Sequence, residues 1–244
     1  MKKFFALSVI ALVLVAFASC QKDEDDGKSK VQLVVKSSTT LPTPVPTKNA
    51  LNQGIVIEKF LVNIDEIEFD VTDEWEEKLN DSIIEAQELQ GPYLINLMST
   101  DALNGLSIGS TLIPNAAYEE VEFEFDRCLN SSNQEMYNKS IYITGKINDV
   151  PFKLWYKDEV EFEISLANNA NFVLNEQNLK LYIDFNIAQI INNLTTFNLS
   201  TAKDGNNDGT IEIGPDDADG NNDLAEKIIE ALEESIELDD SDED

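Results

Sequence analysis

Apolar and polar residues alternate with a period of two over most of residues 31–198, which predicts strands rather than helices. A first short strand covers residues 31–36. Residues 37–47 then break the pattern: Pro42, Pro44 and Pro46 hold the backbone extended and withhold the donors a central ladder needs, so this stretch is a loop or an edge crossing. Ile55, Ile57, Phe60, Val62 and Ile64 resume the alternation, and its phase slips at Asp65-Glu66 before Ile67, Phe69 and Val71 continue it. A one-residue slip inside a continuous strand predicts a β-bulge. Val121, Phe123 and Phe125 alternate with Glu120, Glu122 and Glu124; Val160, Phe162, Ile164 and Leu166 do so against Glu161 and Glu163; Leu179, Leu181, Ile183 and Phe185 form a third run. Residues 141–147 and 152–156, separated by Asn148-Asp149-Val150-Pro151, predict a hairpin. Residues 82–89 fit either a short helix or part of a strand. Segments with one dry and one charged face belong to antiparallel sheets covered on one side, and stacking two of them buries both dry faces. The expected fold is therefore all-β, an antiparallel β-sandwich of about seven to nine strands over residues 31–198.

Two segments leave this pattern. Leu224, Ile228, Leu232 and Ile236 recur every four residues and predict one amphipathic helix over residues 224–238, with Asp223 and Glu226 as a capping pair at its start. Its apolar stripe serves either the sandwich or a partner. At the other end, Met1-Lys2-Lys3 precedes an almost wholly apolar run over residues 4–17, followed by Ala18-Ser19-Cys20. About 14 apolar residues are too few to span the roughly 30 Å hydrocarbon core as a helix, so residues 1–19 read as a removable export signal.

Ala18, Ser19 and Cys20 resemble the cleavage site of bacterial lipoprotein signals cut by signal peptidase II, with Phe17 where that family has Leu. The resemblance implies lipid attachment at Cys20 and a membrane anchor. Gln21-Lys22-Asp23-Glu24-Asp25 resembles the surface-export signal of certain Gram-negative bacteria, a Lys followed by acids behind the lipidated cysteine, and implies an outer-membrane protein facing the cell exterior. The plain alternative is a solvated acidic spacer; either way residues 20–30 form a tether. The region 31–198 resembles an uncharacterised bacterial lipoprotein domain. The likeness runs through residues 57–69, where Ile and Val alternate around the Ile64-Asp65-Glu66-Ile67 step, through Tyr93-Leu94-Ile95-Asn96-Leu97, and through Leu112-Ile113-Pro114 to Tyr118, with Asn115-Ala116-Ala117 where that family often has a Gly. It implies a sandwich and supplies no catalytic residue.

Charge narrows the partners. The chain carries 17 basic and 47 acidic residues, a net charge of −30, which repels nucleic-acid phosphates and anionic headgroups and attracts divalent cations or cationic peptides. Nucleic acid is excluded as a partner. An apolar content of 42% supports a packed core rather than a disordered acidic chain. With Cys20 taken by lipid, Cys128 has no intramolecular partner and reads as a buried thiol at a strand end. The sequence has no histidine, which removes the Ser-His-Asp, Cys-His and His-bearing zinc arrangements. No enzyme is expected.

The most chemical segment follows the sandwich. Asp204-Gly205-Asn206-Asn207-Asp208 recurs 15 residues later as Asp219-Gly220-Asn221-Asn222-Asp223. Asp204, Asn206 and Asp208 hold the first, third and fifth places of a calcium loop, Gly209 the sixth and the Thr210 carbonyl the seventh, in a pattern that resembles EF-hand and dockerin loops. Pro215 stands at the twelfth place, so Asp216 or Asp217 must close the shell. The candidate ligands are Asp204, Asn206, Asp208, Thr210 and Asp216, for Ca2+; the alternative is a solvated Asp/Asn/Gly turn. In the second unit Leu224 replaces the glycine, although Glu230 reaches the twelfth place. Residues 199–238 thus form a loop-and-helix appendix and residues 239–244 an acidic tail. On 152–156, Phe152, Leu154 and Tyr156 share one face, which leaves Trp155 with Lys153 and Lys157 on the other. Trp155 is either a platform for a sugar ring or peptide or a side chain packed under a loop. The whole reads as a lipid-anchored cell-surface binding or structural protein, calcium-stabilised, with a glycan-binding module or carbohydrate-active component as the alternative. Its expected partners are the membrane, through the anchor, and a glycan or surface protein.

Overall fold

The computed structural model describes residues 14–16, 27–38, 54–79, 88–165, 172–174, 179–187 and 199–237. Cys20, the Gln21 to Asp25 signal, residues 39–47 and 80–87, Leu166 and the tail 238–244 lie outside the described residues. In chain order the elements are β1 (Leu14–Ala16), β2 (Lys28–Ser38), β3 (Ile55–Val71), α1 (Asp73–Glu76), β4 (Tyr93–Asn96), α2 (Thr100–Asn104), β5 (Leu106–Pro114) and β6 (Ala117–Phe125). Then come β7 (Ile141–Ile147), β8 (Val150–Tyr156), β9 (Val160–Ser165), β10 (Phe172–Val173), β11 (Leu179–Asn186), a 3-10 turn Leu199–Thr201, β12 (Ile211–Ile213) and α3 (Asn222–Glu237).

The 17-residue β3 organises the larger sheet: β7 pairs with its first half and β6 with its second. The predicted slip is present as a register shift between Ile64 and Glu66, which keeps Ile64 and Ile67 both fully buried on the core side. The hydrogen-bonded order is β10-β6-β3-β7-β8-β12, with β4 also on β3 and β9 also on β6. The smaller sheet runs β1-β11-β2-β5. The β7–β8 hairpin turns on Asn148 and Asp149, whose φ values of 50° and 68° are those of a two-residue turn that matches strand twist.

Both sheets are mixed rather than antiparallel, because β11 runs parallel to β2 and β12 parallel to β8. A half-buried strand alternates in the same way whichever direction its neighbour runs, so the period of two does not report direction. The described residues hold twelve strands, of which the ten from β2 to β11 compare with the seven to nine expected over residues 31–198. The excess comes from short or weakly alternating pieces such as β4, β10 and the Ser/Gly-containing β5.

The two inner faces meet in one core, to which β2 gives Val31, Leu33 and Val35, β11 gives Leu181 and Ile183, and β6 gives Phe123. The helix α3 closes it with Ala225, Ile228 and Ile229, all buried. It starts at Asn222, so Asp223 lies inside the first turn and the Asn221 carbonyl accepts from Leu224 and Ala225. Asp223 therefore does not occupy the boundary position expected of it. A second, small core lies on the opposite face of the larger sheet. There the cross-strand row Leu61, Tyr142 and Trp155 packs with Cys128 and Met136. Cys128 is a buried free thiol just past β6, in keeping with the buried thiol at a strand end expected of it.

Candidate functional site

The two Asp-Gly-Asn-Asn-Asp units fold against each other at the open edge of the larger sheet. In the first, Asp204 accepts the Asp208 and Gly209 amides (3.1 and 2.9 Å), Asn206 Oδ1 accepts the Asp208 amide (2.8 Å) and Asp208 Oδ1 accepts the Thr210 amide (2.9 Å). Gly209 makes the turn with φ +91°, a value that favours glycine. The second unit reaches into the first. Asp219 accepts the Asn206 amide on Oδ1 (3.0 Å) and the Glu212 amide on Oδ2 (2.7 Å), while Asn221 donates to the carbonyls of Lys203 (2.8 Å) and Glu212 (2.7 Å) and accepts the Lys203 amide (3.1 Å). A Cβ added at Gly205 would sit 2.3 Å from the Asp219 carbonyl oxygen, so the backbones touch where only glycine fits. Glu212 is the middle residue of β12, the last strand of its sheet. Its N–H and C=O are satisfied by side chains of the second unit, which blocks the addition of another strand there.

The expected ligands do not all gather at this clasp. Asp204, Asn206, Asp208 and Thr210 lie together in the first loop. Asp216 does not join them: its oxygens accept the Trp155 indole N–H (3.0 Å) and the Lys157 ammonium, and these hold its carboxyl below the usual range, Lys157 contributing most. Asp217 is also engaged elsewhere, accepting the amides of Asp219 and Asn221 on Oδ1 (both 2.9 Å) and that of Gly214 on Oδ2 (3.3 Å). The carboxylate that turns toward the loop is Asp219. Its signal in the sequence is the exact repetition of the unit, which places an acid and an amide at the same two positions of both copies.

Trp155 is half-buried against the small core, and a Cβ at Gly214 would meet its ring at 2.1 Å. Lys153 stands 3.8 Å from Glu212, and Lys157 pairs with Asp216. The Trp and Lys residues that look like a ligand platform in the sequence are matched here by groups of the clasp. What they do is seat residues 212–216 on β8.

A second charged feature arises from register. On the outer face of β9, β6 and β3, Glu161 and Glu163 stand opposite Glu124 and Glu122, which stand opposite Glu66 and Glu68, with Glu120 opposite Asp70. Like charges facing one another across a ladder destabilise it. Carboxylate oxygens of Glu66, Glu68 and Glu88, of Glu68, Asp70 and Glu122, and of Asp65, Glu124 and Asp126 fall within 4.8 Å of one another in each set. Protons are retained as a result. Glu66 is pushed up to about 7 by a shared hydrogen bond with Glu88, by burial and by the charges around it. Glu122 reaches about 7 through burial and the charges of Glu161, Glu68, Asp70 and Glu163. Burial, followed by neighbouring acids, raises Glu68, Asp70 and Glu124 as well. The Gln90 amide bridges Glu66 and Glu88 (2.7 and 3.0 Å). Each alternation is visible in the sequence, but their alignment side by side depends on pairing.

The chain matches no protein-family model, no curated protein and no solved structure.

Proposed function

We propose that this chain is a non-enzymatic, lipid-anchored cell-surface protein, a structural or binding sandwich whose C-terminal clasp is stabilised by calcium. The observation that carries the calcium reading is the docking of the two repeated units, which brings a third carboxylate, Asp219, beside the loop of Asp204, Asn206 and Asp208. In this reading Asp204, Asn206, Asp208 and the Thr210 carbonyl supply hard oxygen ligands and Asp219 replaces Asp216 as the closing carboxylate. The ion neutralises acids that the loop otherwise holds together by backbone N–H groups and the Asn206 side-chain amide. Ligands drawn from both units then fasten the segment that covers β12.

A cation that binds only the folded form stabilises it by about 2.7 kcal/mol at a free concentration about 100 times its dissociation constant. Calcium is expected to raise the melting temperature, chelator to reverse this, and magnesium to act poorly because it demands tighter octahedral geometry. Asp204→Ala and Asp219→Ala should each remove most of the rise, and Asp216→Ala should lower stability while leaving the calcium response intact. A titration calorimeter that records no calcium heat with the parent protein refutes the site.

The anchor has its own test. Cys20→Ser is expected to abolish incorporation of a labelled fatty acid, because residues 4–17 are the long apolar run and the reading has them cut away. Equal labelling of parent and variant rules the anchor out. Protease added to whole cells should reach the domain, and should lose access when Lys22, Asp23, Glu24 and Asp25 are all replaced by alanine.

A further inference from the structure

An edge strand with unpaired backbone groups is a template for another strand. Along β11, β2 pairs with all eight residues on one side. Among the described residues, the other side is served by β1 alone, with Leu14 opposite Leu181, Val15 opposite Lys180 and Ala16 opposite Leu179, antiparallel. These three residues belong to the segment that the lipoprotein reading removes. On that side Tyr182 to Phe185 have no described strand beside them even while it is present.

We propose that, once residues 1–19 are gone, two copies of the chain pair antiparallel through β11 about a two-fold axis at Tyr182. The inference rests on the lipoprotein reading for the removal of β1. Three observations favour a second copy as the occupant. The edge accepts an antiparallel strand, as β1 demonstrates. The sequence of β11, Leu-Lys-Leu-Tyr-Ile-Asp-Phe-Asn, is complementary to itself about Tyr182. Pairing about that point sets Lys180 opposite Asp184 of the partner subunit, Leu181 opposite Ile183 of the partner subunit and Leu179 opposite Phe185 of the partner subunit. Inward residues stay inward, and the two sandwiches share one continuous sheet. Finally, Asp184 stands opposite Lys36 on β2, whose charge and a Ser38 hydrogen bond work against burial, while its Oδ1 is hidden from water without a hydrogen bond among the described residues. Lys180 of the partner subunit brings a donor to Asp184 from the side that β2 does not cover. On a chain of net charge −30, association needs local attraction of this kind.

The experiment uses the protein expressed from the full chain and recovered from its own membrane, where intact mass reports whether residues 1–19 are absent. Directly opposite Cα atoms in an antiparallel pair lie about 4.5–5.5 Å apart, within disulfide reach. Tyr182→Cys is expected to give a covalent dimer on intact cells under mild oxidation, and parent protein to give none, since Cys128 is buried. In detergent, sedimentation should show a dimer. Lys180→Asp and Asp184→Lys should each weaken it about tenfold by placing like charges opposite one another, and the double exchange should restore it. Processed protein that stays monomeric and uncrosslinked overturns the pairing. If the mass shows residues 1–19 retained, the lipoprotein reading fails instead, and the same assays on protein expressed from residue 20 onward then decide the pairing.

Discussion

Lowering the pH from about 8 to about 5 is expected to stabilise this protein, against the usual behaviour of folded domains, in which paired carboxylates are lost to acid. The cause is the carboxylate lattice on β9, β6 and β3. Glu66 and Glu122 hold their protons up to about pH 7 in the folded chain and only to about 4.3 when unfolded. The folded state therefore binds more protons between those two values, and stability falls as pH rises through that window. The stabilising contribution is complete near the lower value and is lost by the upper one. These side chains are only partly buried, so solvent screening cuts the effect to about 1–2 kcal/mol in total, a melting shift of about 3–6 °C for a domain of this size. Glu122→Gln should melt higher than the parent at about pH 8 and respond less to acid. A melting temperature that falls steadily from about pH 8 to about pH 5 would show that the lattice does not govern stability. Below that range Asp216 works in the opposite direction: its carboxyl is held low by Lys157 and Trp155, so its contribution is lost on further acidification.

The larger single-residue effect lies at Gly145. This residue pairs with Ile57 at the shift in register between Ile57 and Lys59, and an added Cβ would sit 1.9 Å from the Val56 carbonyl oxygen, with Val56 C at 2.9 Å and Ile57 Cα at 3.0 Å. All three atoms are backbone, so no rotamer change relieves the clash and the β3–β7 ladder must open. Overpacking typically costs about 1–3 kcal/mol; here Gly145→Ala should exceed that and leave little folded protein at 37 °C. Gly209→Ala is the contrasting case. Nothing lies within 4 Å of its Cβ position, and the expected cost is about 1 kcal/mol from the backbone conformation alone. Chemical denaturation of both variants checks the order, and equal stability would mean that β3 and β7 are not held this close.

How far these features were legible in the sequence depends on how local they are. The bulge at Asp65-Glu66, the hairpin after residues 141–147 and the terminal helix each rest on spacing within a few residues, and each is present, although the hairpin turns on Asn148-Asp149 alone and Val150 and Pro151, expected in the connection, pair within β8. Direction of pairing is not local, so the parallel contacts of β11 with β2 and β12 with β8 were invisible to alternation. The same limit applies to the clasp. Loop spacing brings Asp204, Asn206 and Asp208 together, but the chain passes Asp216 on the β8 side, where Trp155 and Lys157 take it, and returns with Asp219. A stepwise count to the twelfth place follows the chain and misses a side chain delivered by a second turn. Trp155 belongs to the same class: its lysine neighbours look unpaired until residues 212–216 are laid beside them.

The central claim is that calcium acts through the clasp on the edge of the larger sheet, and amide hydrogen exchange at β12 measures this directly. Glu212 donates its N–H to Asp219, and Ile211 and Ile213 lie buried on either side of it. Saturating calcium should slow exchange at Ile211, Glu212 and Ile213 and at the Asp208 and Gly209 amides, leave the β6 and β9 amides unchanged, and lose its effect in Asp204→Ala. Exchange at β12 that is the same with calcium and with chelator would contradict the claim.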